Sequence, residues 1–129
     1  MRTPAKILNI IIADDDSITR HVLRMLLHEQ GHQVIAEAND GEKAVELCET
    51  HKPHIAFIDI NMPRMNGHQA AEKIRQNTPG IGMVMISSLP TLENVQTALQ
   101  AGVSGFVVKP FNAGKVAEAI KNCMRQKQQ

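Results

Sequence analysis

The chain has no tryptophan, no tyrosine and only three phenylalanines among 129 residues. Its core must therefore be assembled from Ile, Val, Leu, Met and Ala. Cysteine is also scarce. Cys48 and Cys123 lie far apart with no CxxC, which argues against a zinc site and a disulfide framework. Both fall at helical core spacing and read as reduced, small apolar residues. Charge of one sign is missing as well: 14 Lys and Arg against 13 Asp and Glu leave a formal net charge of +1. That balance gives no general pull toward nucleic acid or an anionic membrane. No apolar segment is long enough to span a bilayer. The apolar run near the start, KILNIIIADDD, is too short for a signal peptide and ends in three aspartates. The expected compartment is the cytoplasm. A Gly-rich phosphate loop is absent, so no nucleotide site is implied, and there is no internal repeat or linker.

What is present is an alternation. Ile7 to Ala13, Val34 to Ala36, His54 to Ile58, Met83 to Ile86 and Phe106 to Val108 read as short strands, near-continuously apolar, as expected where both faces of a sheet are covered. Helical spacing follows each one. Ile18, Val22, Met25 and Leu26 mark the first helix, opened by Asp16 or Ser17 as N-cap and stopped by Gly31. Ala44, Val45, Leu47 and Cys48 mark the second, and Ala70, Ala71 and Ile74 the third, which begins at Asn66-Gly67. Leu92, Val95 and Leu99 mark a fourth over Thr91 to Ala101. The last, from Asn112, is predicted to bury Ala113, Val116, Ala117, Ile120 and Cys123, with a polar, fraying end. Five strands alternating with five helices imply a doubly wound α/β sandwich with a parallel sheet, in one domain spanning 1–129.

In such a sheet all strand carboxyl ends lie on one edge, where ligands bind. The polar residues at those ends are Asp14, Asp15 and Asp16, then Asp59, Ser87 with Ser88, and Lys109. Neighbouring carboxylates repel one another unless a cation sits among them. A hard divalent ion, Mg²⁺, suits an all-oxygen set and keeps positions for water and phosphate oxygens. Asp59, followed by Pro63 and Gly67 in FIDINMPRMNG, becomes a candidate nucleophile able to form an acyl phosphate. Lys109 would supply a positive charge to the phosphoryl oxygens, and Ser87 a hydroxyl. HEQGH, His28 to His32, fits a zinc-protease pattern but carries Gly31 inside it and is rejected. His21, His51, His54 and His68 read as surface or edge residues.

IIIADDDSITR, FIDINMPRMNG, MVMISS and AGVSGFVVKPF, in that order, resemble the receiver domain of bacterial two-component response regulators, with single-domain chemotaxis regulators closest in size. The resemblance covers nearly the whole chain. It implies a flavodoxin-like sheet of order 2-1-3-4-5 and a cis peptide at Lys109-Pro110. By the same resemblance Asp59 is the phosphoacceptor. Asp15, Asp59 and the Asn61 carbonyl would hold Mg²⁺, Asp14 would assist through water, and Lys109 and Ser87 would contact the phosphoryl group. Ser87 and Phe106 would form the switch, with Leu92, Gln96, Phe106 and Lys115 on the partner surface. The implied partners are a sensor histidine kinase or histidine phosphotransfer protein and a downstream protein target or output domain, with no direct nucleic-acid or membrane contact. The implied role is signalling, with phosphotransfer and dephosphorylation only on itself. Alternatives are a receiver excised from a multidomain regulator, a module acting without phosphorylation, and a small-molecule phosphatase with an Asp nucleophile.

Overall fold

A computed structural model describes residues 7–127 of the chain. Five parallel strands, β1 (Asn9–Ala13), β2 (Gln33–Ala38), β3 (Ile55–Asp59), β4 (Gly82–Ser87) and β5 (Gly105–Val108), form one sheet of order β2-β1-β3-β4-β5. Five helices alternate with them: α1 (Ser17–Glu29), α2 (Gly41–His51), α3 (Gly67–Asn77), α4 (Leu92–Gln100) and α5 (Ala113–Lys127). The sandwich and its strand order are those expected.

Alternate residues of each strand feed opposite faces of the sheet. Ile10, Ile12, Phe57, Val84 and Ile86 pack with Leu23 and Leu27 of α1 and with Val116 and Cys123 of α5. Ile11, Ala56, Ile58 and Met85 pack with Cys48 of α2, Ile74 of α3 and Ala98 of α4. Burial pushes the Cys48 thiol up to about 12, so it stays protonated.

One expectation about helix faces fails, on α5, and on α1 and α4 the structure selects which of the spaced apolar residues meet the sheet. On α1, Leu23 and Leu27 are buried, whereas Ile18 is 71% exposed and Val22 and Met25 also face out. On α4, Ala98 turns inward and Leu92 (73% exposed) and Leu99 turn outward. On α5, Ala113 and Ala117 are exposed, and Ala119 joins Val116, Ile120 and Cys123 inside. In each case the helix carries more apolar residues than one face can hold, and contact with the sheet selects the stripe. α5 continues into the polar end as far as Lys127. Gln128 and Gln129 lie outside the described residues.

Strand ends shift by a residue or two. β1 starts at Asn9, later than Ile7, and two imidazoles take the backbone donors at its start: Leu8 N donates to His32 Nδ1 at 3.2 Å and Asn9 N to His54 Nδ1 at 2.9 Å. His54 is thus a half-buried structural acceptor, not an edge residue, and both ring nitrogens of His68 are buried too. Burial holds His32 below the ordinary histidine value. Since its folded value lies below its unfolded one, the contribution of neutral His32 is complete above about pH 6.5 and is lost as pH falls below it. The stability gap between wild type and His32→Ala, about 1 kcal/mol for one hydrogen bond, should therefore narrow in urea titrations run at successively lower pH. A gap independent of pH would refute this.

Candidate phosphoacceptor site

β3 and β4 run one residue further than their apolar letters, so Asp59 and Ser87 are the last residues of their strands and buried ones. Asp14 follows β1 directly, with no exposed surface, while Asp15 beside it is exposed. Asp16 is the N-cap of α1: Oδ1 accepts from Ile18 N at 3.1 Å and Oδ2 from Thr19 Oγ1 at 2.7 Å. The Thr19 hydroxyl and the Ile18 amide hold its carboxyl below the usual carboxylate range. Asp16 thus serves the helix, which leaves Asp14, Asp15 and Asp59 to face one another.

One carboxylate oxygen from each of those three lies within 4.8 Å of the other two. Lys109 reaches in from the end of β5, with Nζ 2.9 Å from Asp14 Oδ2 and 3.5 Å from Asp59 Oδ1. Burial and then the Asp14 charge push Asp59 up to about 6, against the pull of Lys109. Burial alone would lower Lys109, but its bond to Asp14 and the charge of Asp59 raise it on balance. One ammonium, paired with Asp14 and Asp59, beside three carboxylates leaves negative charge in excess. All-oxygen donors at that spacing, short of positive charge, fit a hard divalent cation.

The Ser87 hydroxyl is engaged with its own loop: Oγ accepts from Leu89 N at 2.9 Å and donates to Leu89 O at 3.2 Å. Asn61 sits exposed two residues beyond Asp59. Phe106 is half-buried and packs against the core that contains Ile58 and Met85. Leu92, Gln96 and Lys115 are exposed, and Lys115 shares a shallow groove with Phe106. The Lys109-Pro110 bond is cis.

The β3–α3 loop that carries Asn61 is clamped at two points in its later half. Asn66 and Gln69 exchange side-chain and backbone bonds in a capping box at the start of α3. Arg64 Nη1 pairs with Asp40 Oδ2, the N-cap of α2, at 3.1 Å. Sequence reading missed this clasp, and it missed the Arg20–Glu37 pair at 3.2 Å beneath the β1–α1 turn. Partners 24 and 17 residues apart leave no periodic signal.

The family description of the response regulator receiver domain matches residues 10–121. The chain is a member of the response regulator receiver family. It is 37% identical to chemotaxis protein CheY of Bacillus subtilis over 115 residues, covering 89% of this chain and 96% of that protein. It is 35% identical to the transcriptional regulatory protein PdtaR of Mycobacterium tuberculosis, covering 87% of this chain but about half, 54%, of that longer protein. The crystal structure of a CheX-CheY-BeF3-Mg complex from Borrelia burgdorferi matches with a TM-score of 0.84 and 32% identity, over 87% of this chain and 85% of that one. The chain is thus a CheY-like receiver, a signalling domain of two-component systems. No described helix is long and apolar enough to cross a membrane.

Proposed function

We propose that this receiver, one domain over residues 1–129, takes a phosphoryl group onto Asp59 from a phosphohistidine on a sensor kinase or phosphotransfer protein, in the cytoplasm, and signals through protein contacts. The observation that carries the reading is the buried Asp59 carboxylate at a strand end, set between Asp14 and the Lys109 ammonium. Asp15, Asp59 and the Asn61 carbonyl would hold Mg²⁺, with Asp14 assisting through water. When bound, the ion supplies positive charge to the incoming phosphoryl oxygens.

The chain's own residues do the rest. An Asp59 oxygen attacks phosphorus in line with the leaving imidazole. Lys109, now divided between Asp14 and Asp59, turns to a phosphoryl oxygen. Ser87 exchanges its 3.2 Å bond to Leu89 O for one to a second phosphoryl oxygen. A bond to a charged group contributes about 1.5–3 kcal/mol against about 0.5–1.5 kcal/mol for a neutral one, so the Ser87 exchange gains about 1 kcal/mol, while Lys109 trades carboxylate oxygens for a phosphoryl oxygen. Movement of Ser87 vacates space toward which the half-buried Phe106 ring can turn. The surface of α4, β5 and α5, with Leu92, Gln96, Phe106 and Lys115, reads out the change. Donor access is favoured by the exposed Ile18 and Val22 of α1, which line an apolar groove with Pro110 and Phe111 beside Lys109.

Acetyl phosphate with Mg²⁺ should add one phosphoryl group to the intact protein by mass. Omitting Mg²⁺, or substituting Asp59→Asn, should abolish the adduct. No adduct on a folded wild-type chain would sink the reading and favour a module that acts without phosphorylation.

A further inference from the structure

Asp14 is held at points that have nothing to do with the phosphoryl chemistry. Its amide donates to Ala38 O at 3.0 Å, and its Oδ1 accepts from Asp16 N at 2.8 Å. Its carbonyl accepts from Arg20 Nη1 at 2.7 Å. That carbonyl belongs to the peptide joining Asp14 to Asp15, so the guanidinium fixes the plane from which the Asp15 side chain departs. Arg20 is itself fixed. Its Nε lies 3.2 Å from Glu37 Oε1, and Arg24 Nη1 takes the other oxygen of the same carboxylate. Glu37 adjoins Ala38 in β2, whose carbonyl holds the Asp14 amide. A rigid planar fork spans two acceptors here in a way a flexible ammonium cannot.

We propose that Arg20 is a positioning residue for the metal-binding acids, aiming the exposed Asp15 carboxylate at the cation through the Asp14 carbonyl, with Glu37 as its anchor. This rests on the receiver reading above. Arg20 touches neither the cation nor the phosphoryl group. Its action on metal binding separates from plain electrostatics by sign. Loss of a nearby positive charge would by itself favour a divalent cation, whereas loss of positioning weakens its binding.

With no tryptophan or tyrosine as fluorescent reporter, the measurement is Mg²⁺ titration calorimetry, run beside the thermal midpoint of each metal-free protein. Arg20→Gln should bind Mg²⁺ about tenfold more weakly than wild type, the size typical of a lost outer partner of a metal ligand. Arg24→Gln gives up the same Glu37 carboxylate but does not touch Asp14, so its affinity should stay within about twofold. Arg20→Lys reaches one acceptor at a time and should fall between them; if Arg20→Gln fails to fold, Arg20→Lys decides by the same comparison. Unchanged or tighter Mg²⁺ binding in a folded Arg20 variant would overturn the proposal, and so would equal losses in the Arg20 and Arg24 variants. A wild-type chain that bound no Mg²⁺ would overturn the Mg²⁺-dependent phosphoacceptor function proposed above, before any variant is needed.

Discussion

Asp59→Asn should be more stable than wild type when no divalent ion is present and should gain little when one is added. The folded value of Asp59, about 6, lies above its ordinary 3.8, so the fold favours the neutral acid. Its favourable contribution is in place below the unfolded value and is lost as pH rises through about 6. At pH 7.5 the ionised carboxylate therefore opposes folding, and a neutral side chain of nearly the same shape removes that penalty. One pKa unit corresponds to about 1.4 kcal/mol, which puts the gain at about 1–3 kcal/mol. Urea unfolding in a chelator checks it. Excess Mg²⁺ should then reverse the ranking, because an ion that binds the folded state stabilises it more the tighter it binds, and Asp59→Asn removes one of the carboxylates proposed to hold it. A variant no more stable than wild type in chelator would show that the crowding of Asp14 and Asp59 is relieved by the protein alone.

That crowding was legible in the sequence because a parallel sheet covered on both faces writes its strands as unbroken apolar runs. The letter where each run ends then marks the binding edge. IIIA before Asp14, FI before Asp59, MVMI before Ser87 and VV before Lys109 gave all four corners. The helices were less legible. α1 carries two apolar stripes, Ile18, Val22 and Met25 on one side and Leu23 and Leu27 on the other, and only the second meets the sheet. Spacing reports that a stripe exists, not which of two is covered. Least legible were the ties between side chains and backbone that fix the loops. Arg20 on the Glu37 carboxylate and His32 on the Leu8 amide join residues whose proximity exists only once the strand order is known. The same holds for the Ser87 hydroxyl: its place at the edge could be read, but its engagement with Leu89 could not.

Gly67→Ala should damage both stability and phosphorylation, through a contact with Asp59 itself. Gly67 opens α3 where the chain doubles back beneath β3, and its amide donates to Ile60 O at 2.7 Å. A Cβ there would stand 2.2 Å from the Asp59 carbonyl oxygen and 2.8 Å from Ile60 Cα. Both obstacles are backbone and neither has a free rotamer to yield, so the strand end or the start of α3 must move. Forced shifts of this kind cost about 3 kcal/mol, and the shift falls on the proposed phosphoacceptor. Gly114→Ala is the control. Its Cβ would meet only Asn112 Oδ1, at 3.4 Å, within α5. Alanine gains up to about 1 kcal/mol over glycine in a helix, so this variant should unfold at the wild-type urea concentration or slightly above and accept phosphate normally. Retention of both stability and the Mg²⁺-dependent adduct by Gly67→Ala would mean that the strand end is compliant. The position of Asp59 would then be set by its side-chain neighbours Lys109 and Asp14 and not by the turn beneath it.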